Sequence, residues 1–259
     1  MHRFYLPPAE AEGDLLLLSE SEAHHALSVL RLRRGEQVTV LDGAGREILC
    51  QVRSLATRMV ELDVLEWRTW PEPPANLTLL QAIPKGGVMD DIVGKATQLG
   101  VRRIVPVLTA RCEVHLDAGA GARKAEKWRH TAIEALKQCG LPWLPKVEPA
   151  ARFADALAKE NTAGLSVVAT LRPDAAHPRD VLGGFHREHG TLPGAVAVWI
   201  GPEGDFIPEE LEALEHAGVK PVTLGPRVLR CDTAAISCLA VLNSELSWRL
   251  ARERIEERR

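Results

Sequence analysis

The chain has 259 residues, of which 46% are hydrophobic and 26% charged, the balance of an ordinary globular chain with room for one large or two modest domains. Its net charge of −3 is not that of a generally basic nucleic-acid binder, so any RNA partner must be met by a local patch. Its longest apolar runs, LLLL at 15–18 and AVAVWI at 195–200, are too short to cross a bilayer, and the opening MHRFYLPPAE lacks a signal-peptide pattern. Five cysteines (50, 112, 139, 231 and 238) with no CxxC pair fit a reducing compartment, so a cytoplasmic location is expected.

In chain order, RFYL predicts a strand, and Ser19 with Glu22 an S-x-x-E capping box that opens a helix over ESEAHHALSVL. EQVTVLD and REILCQV alternate around Gly43-Ala44-Gly45 and read as a hairpin, followed by a strand over MVELDVLEW. This is a small β-rich domain over 1–70. Residues 71–76, within the proline-rich TWPEPPAN, read as a linker.

From residue 77 to 259 the texture changes. Apolar strands (NLTLLQAI, VRRIVPVL, LSVVATL, AVAVWIG, VKPVTLG) are followed or separated by helices over DDIVGKATQLG, RKAEKWRHTAIEALKQCG, ARFADALAKE and PEELEALEHAG, with a last helix from Asp232. Its apolar face runs through Ile236, Leu239, Leu242 and Leu246. Such alternation argues an α/β fold with a parallel sheet covered on both faces. The small residues at 118–122 read as a short linker. They do not follow a strand with GxGxxG spacing, which sets aside a dinucleotide fingerprint.

Two strands end in glycine-proline turns: IGPEGDF at 200–206 and LGPRVLR at 224–230. Glycine lets a backbone approach a ligand closely, and ligands of open α/β sheets sit beyond the carboxyl ends of the strands. If the two strands are neighbours, the turns wall one cleft whose backbone groups can bond a heterocycle such as adenine. Helices starting at Pro208 and near Asp232 would point positive dipole ends at it.

IPKGGxMDDIVGKATQLGV, EALKQCG, WIGPEGDF and LGPRVLRCDTA together resemble the ribosomal RNA small-subunit methyltransferase E family, of the SPOUT class, over nearly the whole chain. The resemblance implies a PUA-like (OB/β-barrel-like) RNA-binding domain followed by a parallel sheet with a deep C-terminal trefoil knot. It implies S-adenosylmethionine as methyl donor and a homodimer. The reaction would be methylation of N3 of a specific uridine in 16S rRNA on the assembled small subunit. The donor's walls would be Leu171; Ile200, Gly201, Pro202, Glu203 and Gly204; and Leu224, Gly225, Val228, Leu229 and Arg230, with Thr233 and Ala234 beyond them. The chain departs from the family pattern at Gln98, Leu141, Asp205, Cys231 and Asp232, the last a carboxylate one methylene shorter than the usual glutamate.

N3 of a neutral uracil is a poor nucleophile, so its anion must be favoured. A guanidinium about 4 Å away contributes about 4 kcal/mol at an effective dielectric of ~20, enough for a shift of one or two pKa units. Arg230 is the first candidate, with a phosphate contact or a salt bridge to Glu203 as its other readings. Glu203 and Asp232 compete as proton acceptor, although Glu203 could instead hold its loop, Asp232 could be a helix cap, and solvent could take the proton. Lys85 and Arg111, at strand ends, are candidates for rRNA phosphates, as are Arg31, Arg33 and Arg34 beside His24 and His25. A solvated surface charge is the alternative for each. Trp128 reads as core or dimer contact. His186 and His189 lack companion ligands, so no metal is assigned. The competing functions are a SPOUT enzyme acting on another base or a ribose, and a non-catalytic RNA-binding assembly factor.

Overall fold

The computed structural model describes residues 1–73, 75–114, 118–160 and 164–256. It divides into two compact units, one of Met1–Glu72 with Ile133–Leu144, the other of Pro73–Ala132 with the described residues from Pro145 onward. Residues 133–144 thus cluster with the first unit.

In the first unit, β1 (His2–Tyr5), β2 (Leu15–Ser19), β3 (Gln37–Leu41), β4 (Arg46–Ala56) and β5 (Met59–Thr69) form a sheet in the order β1-β3-β4-β5-β2. Only β1 and β3 run parallel. Every second side chain turns inward, as in an antiparallel sheet with one wet face: Leu16 and Leu18, Val38 and Val40, Ile48 and Cys50, and Val60 and Leu62 share one core with Phe4. The helix after β2 is α1 (Glu20–His24), which passes into a π-helical turn over His25–Val29. Its predicted capping box rests on the Ser19 side chain, outside the described residues. Glu22 is engaged elsewhere, its Oε1 taking the Lys137 ammonium at 2.7 Å.

The predicted hairpin forms, and its glycines serve a close approach. A Cβ on Gly45 would lie 2.4 Å from the Trp143 ring, and one on Gly43 would lie 2.9 Å from Leu144 Cβ. The LPWL segment bonds to this turn through Gly45 N–H to Pro142 O and Leu144 N–H to Gly43 O, both at 2.9 Å. Leu141 opens that segment.

In the second unit, β6 (Asn76–Ala82), β7 (Arg103–Leu108), β8 (Lys146–Val147), β10 (Leu165–Ala169), β11 (Ala195–Ile200) and β12 (Lys220–Val222) are parallel in the order β12-β10-β11-β6-β7-β8, with β9 (Ala151–Arg152) also on β7. The central strands are buried on both faces, as in Leu79 and Leu80. Helices α2 (Val88–Gln98), α3 (Ala118–Cys139), α4 (Phe153–Glu160), α5 (Pro178–His189), α6 (Pro208–His216) and α7 (Cys231–Glu256) connect or follow them.

Three readings need correction. Residues 118–122 are the first turn of α3 rather than a linker; glycine weakens a helix by about 1 kcal/mol per residue but does not forbid it. Helix α5 was not predicted, although His177 caps it by accepting the Arg179 N–H, Pro178 opens it and Gly190 closes it at φ 73°. Most consequentially, β11 and β12 are not neighbours, because β10 lies between them.

Candidate active site

The two glycine-proline turns nonetheless share one cleft, at the carboxyl ends of β10, β11 and β12, because the inserted strand supplies a third wall. Ala169, Thr170 and Leu171 come from the end of β10. Ile200, Gly201, Pro202, Glu203 and Asp205 come from the end of β11. Leu224, Gly225, Arg227, Val228 and Leu229 follow β12, and Cys231 and Ala234 belong to the first turn of α7. The cleft encloses about 140 Å³ and opens to solvent at its mouth.

The β11 turn is built for close approach. Pro202 O accepts the Asp205 N–H at 2.9 Å, closing the turn. A Cβ on Gly201 would stand 2.8 Å from Asp205 Oδ1 and 3.2 Å from Asp205 Cα, so only glycine fits beneath it. Asp205 itself sits at φ 60°, a left-handed conformation that aspartate tolerates better than most residues. The β12 turn differs: Gly225 has φ 112° and open space where a Cβ would project. Thr223 Oγ1 takes the Gly225 N–H at 3.3 Å. Leu171 and Val228 are exposed at the mouth, an apolar rim without cover in the single chain.

Of the expected donor-binding residues, Gly204, Arg230 and Thr233 stand outside the lining, while Ala169, Thr170, Asp205, Arg227 and Cys231 join it. The end of β10 had a signal in the apolar LSVVATL run, and Asp205 and Arg227 lie within the IGPEGDF and LGPRVLR turns. The first turn of α7 reaches the cleft, as its helix-start reading requires. No α6 residue lines it.

Among the three catalytic candidates, Arg230 is largely exposed, with Nε 3.6 Å from Asp232 Oδ1. That oxygen is buried and has no hydrogen-bond partner among the described residues. Glu203 Oε1, in contrast, accepts the Lys85 backbone N–H at 3.0 Å. Cys231 feels this environment: burial first, then the Glu203 charge, pushes its thiol above the usual cysteine range.

The phosphate candidates divide. Arg31, Arg33 and Arg34 are exposed, Arg31 with φ 53° just after the π-helical turn. Lys85 pairs through Nζ with Glu113 at 2.6 Å, and the hydrogen bond and charge of Glu113 hold its ammonium above the ordinary lysine range. Arg111 donates from Nη1 to Gly204 O. Trp128 is buried on α3, and no cluster of three or more metal-ligating side chains occurs among the described residues.

Residues 71–243 match an RNA methyltransferase domain model and residues 18–65 an RNA methyltransferase PUA domain model. The Aquifex aeolicus ribosomal RNA small subunit methyltransferase E is 31% identical over 93% of this chain and 99% of its own. The chain belongs to the ribosomal RNA small subunit methyltransferase E family. The Bacillus subtilis member is 28% identical over 90% of this chain and 91% of its own. Two solved structures share the fold. A Neisseria gonorrhoeae member of the family, bound to S-adenosyl methionine, superposes with a TM-score of 0.83 at 31% identity, covering 94% of this chain and 97% of that one. A putative methyltransferase of Legionella pneumophila, also in complex with its cofactor, gives 0.82 at 32%, covering 93% and 96%.

Proposed function

We propose that this chain transfers a methyl group from S-adenosylmethionine to N3 of a specific uridine in 16S rRNA on the assembled small ribosomal subunit, in the cytoplasm and as a homodimer. The observation that carries the reading is the three-walled cleft, with its closed-in Gly201, its open Gly225 and a helix N-terminus at one side. Leu171, Ile200, Leu224, Val228 and Leu229 offer apolar contact for an adenine ring, and the bare turns offer backbone donors and acceptors for its edge. The donor, when bound, supplies an electrophilic methyl group for in-line displacement.

The chain's own residues prepare the nucleophile. Arg230, largely exposed and ion-paired with Asp232 at 3.6 Å, stabilises the uracil anion. Asp232, ion-paired with Arg230 and so beside the group that holds the anion, accepts the N3 proton, whereas one Glu203 oxygen already takes the Lys85 N–H. Arg31, Arg33 and Arg34 hold phosphates from the first unit. We further infer that the chain around residues 224–230 forms the trefoil knot of the SPOUT class. The placement of β10 between β11 and β12 supports this, and an experimental chain trace without the threading would remove it.

Transfer of labelled methyl from S-adenosylmethionine to undermethylated small subunits tests the reading. Arg230→Ala and Asp232→Asn are expected to lower turnover about 100-fold or more while leaving donor affinity within about threefold. Normal turnover in both variants would dismiss these roles.

A further inference from the structure

The loop after β7 bonds to the β11 turn and to the first turn of α6 that follows it. Arg111 Nη1 donates to the Gly204 carbonyl, and the fit is close: a Cβ on Gly204 would lie 3.1 Å from Arg111 Cδ. Beside it, the Ala110 N–H donates to Glu210 Oε1 at 2.8 Å, while Glu210 Oε2 takes the Ile207 N–H at 3.0 Å. Glu210 is only 7% exposed. A third tie, from Lys85 N–H to Glu203 Oε1, comes from the loop after β6. A guanidinium is a rigid planar fork, so seating one arm on a carbonyl fixes both the arm and the peptide below it. An arginine serving a phosphate would present that fork outward. Here one arm is seated on the Gly204 carbonyl and the stem packs on Gly204, while the residue as a whole stays exposed.

We propose that Arg111 is a positioning residue for the methyl-donor turn, fixing Gly204 and through it the Glu203 carboxylate and the cleft wall, and that it is not an rRNA phosphate ligand. This rests on the donor reading of the cleft given above. The two roles of Arg111 separate in one pair of measurements on the full chain: calorimetric binding of S-adenosylmethionine, and binding to small ribosomal subunits over a salt series.

Arg111→Ala is expected to weaken donor binding about tenfold, as small displacements of a site do, and to leave the salt slope unchanged. Arg111→Lys should recover most of the loss, because an ammonium still reaches one carbonyl. Unchanged donor binding with a slope shallower by about 0.7–0.9 would make Arg111 a phosphate ligand and overturn the proposal. A wild-type chain that binds no donor would overturn the underlying reading before any variant is compared.

A second variant guards against loss of folding. Gly204 is not at positive φ, so Gly204→Ala keeps the backbone and only displaces Arg111. It should weaken donor binding in the wild-type background and add little to Arg111→Ala. Full additivity of the two changes would contradict the proposal.

Discussion

Asp205 shows how one residue can depart from a family pattern without losing the site. Its φ of 60° is one that glycine adopts without strain, so Asp205→Gly should stay within about 1 kcal/mol of wild type in urea unfolding. Asp205→Val should lose about 1–3 kcal/mol, because a β-branched residue is strained there and cannot accept the Phe206 N–H. Gly201 allows no such exchange. Gly201→Ala places a methyl 2.8 Å from Asp205 Oδ1 and should cost more than about tenfold in donor affinity, measured calorimetrically, with the fold retained. The Cys231 thiol reports on the same turn. Its pKa is raised by burial and then by Glu203, so at pH 7.5 it stays protonated and resists alkylation. Glu203→Gln removes the carboxylate charge that opposes the thiolate, so the alkylation profile should move to lower pH. An unmoved profile would mean that Glu203 does not act on the cleft.

At the scale of elements, the Gly45–Trp143 contact binds a hairpin to the segment after α3. Gly45→Ala meets the indole at 2.4 Å from a residue at φ 100°, so it should destabilise the first unit by at least about 2 kcal/mol, seen as a lowered midpoint in denaturation. The hairpin itself was legible, since GAG between two alternating runs announces a turn. Its partner was not, because nothing in LPWLP states where a tryptophan will lie. Strand β2 was hidden for a different reason: Leu15 and Leu17 are exposed at 40% and 44% while Leu16 and Leu18 are buried, so leucine on both faces masks the alternation. The central strands β6 and β11 were plain because burial on both faces leaves continuous apolar runs. The cleft was half legible. Both glycine-proline turns were visible, but the strand between β11 and β12 is a matter of sheet order, which local pattern does not encode. Arg111 and Glu210 were equally silent as braces, because the bonds that join the two loops, Arg111 to Gly204 O and Ala110 N–H to Glu210, link groups far apart along the chain.

For the whole molecule, the net charge of −3 makes RNA binding a matter of local patches. Residues 1–72 carry 8 Lys and Arg against 12 Asp and Glu, so three exposed arginines stand out against an acidic unit. Neutralising Arg31, Arg33 and Arg34 together should make the salt slope of small-subunit binding shallower by about two. An unchanged slope would make them solvated surface charges. The cleft between the two glycine-proline turns is proposed to carry a methyl group to N3 of uridine. The most direct measurement is to incubate the protein with labelled S-adenosylmethionine and small subunits lacking the modification. The RNA is then digested, and the product nucleoside identified by mass spectrometry against standards. N3-methyluridine at a single site is the predicted result. Label in any other nucleoside, or none at all, would contradict it.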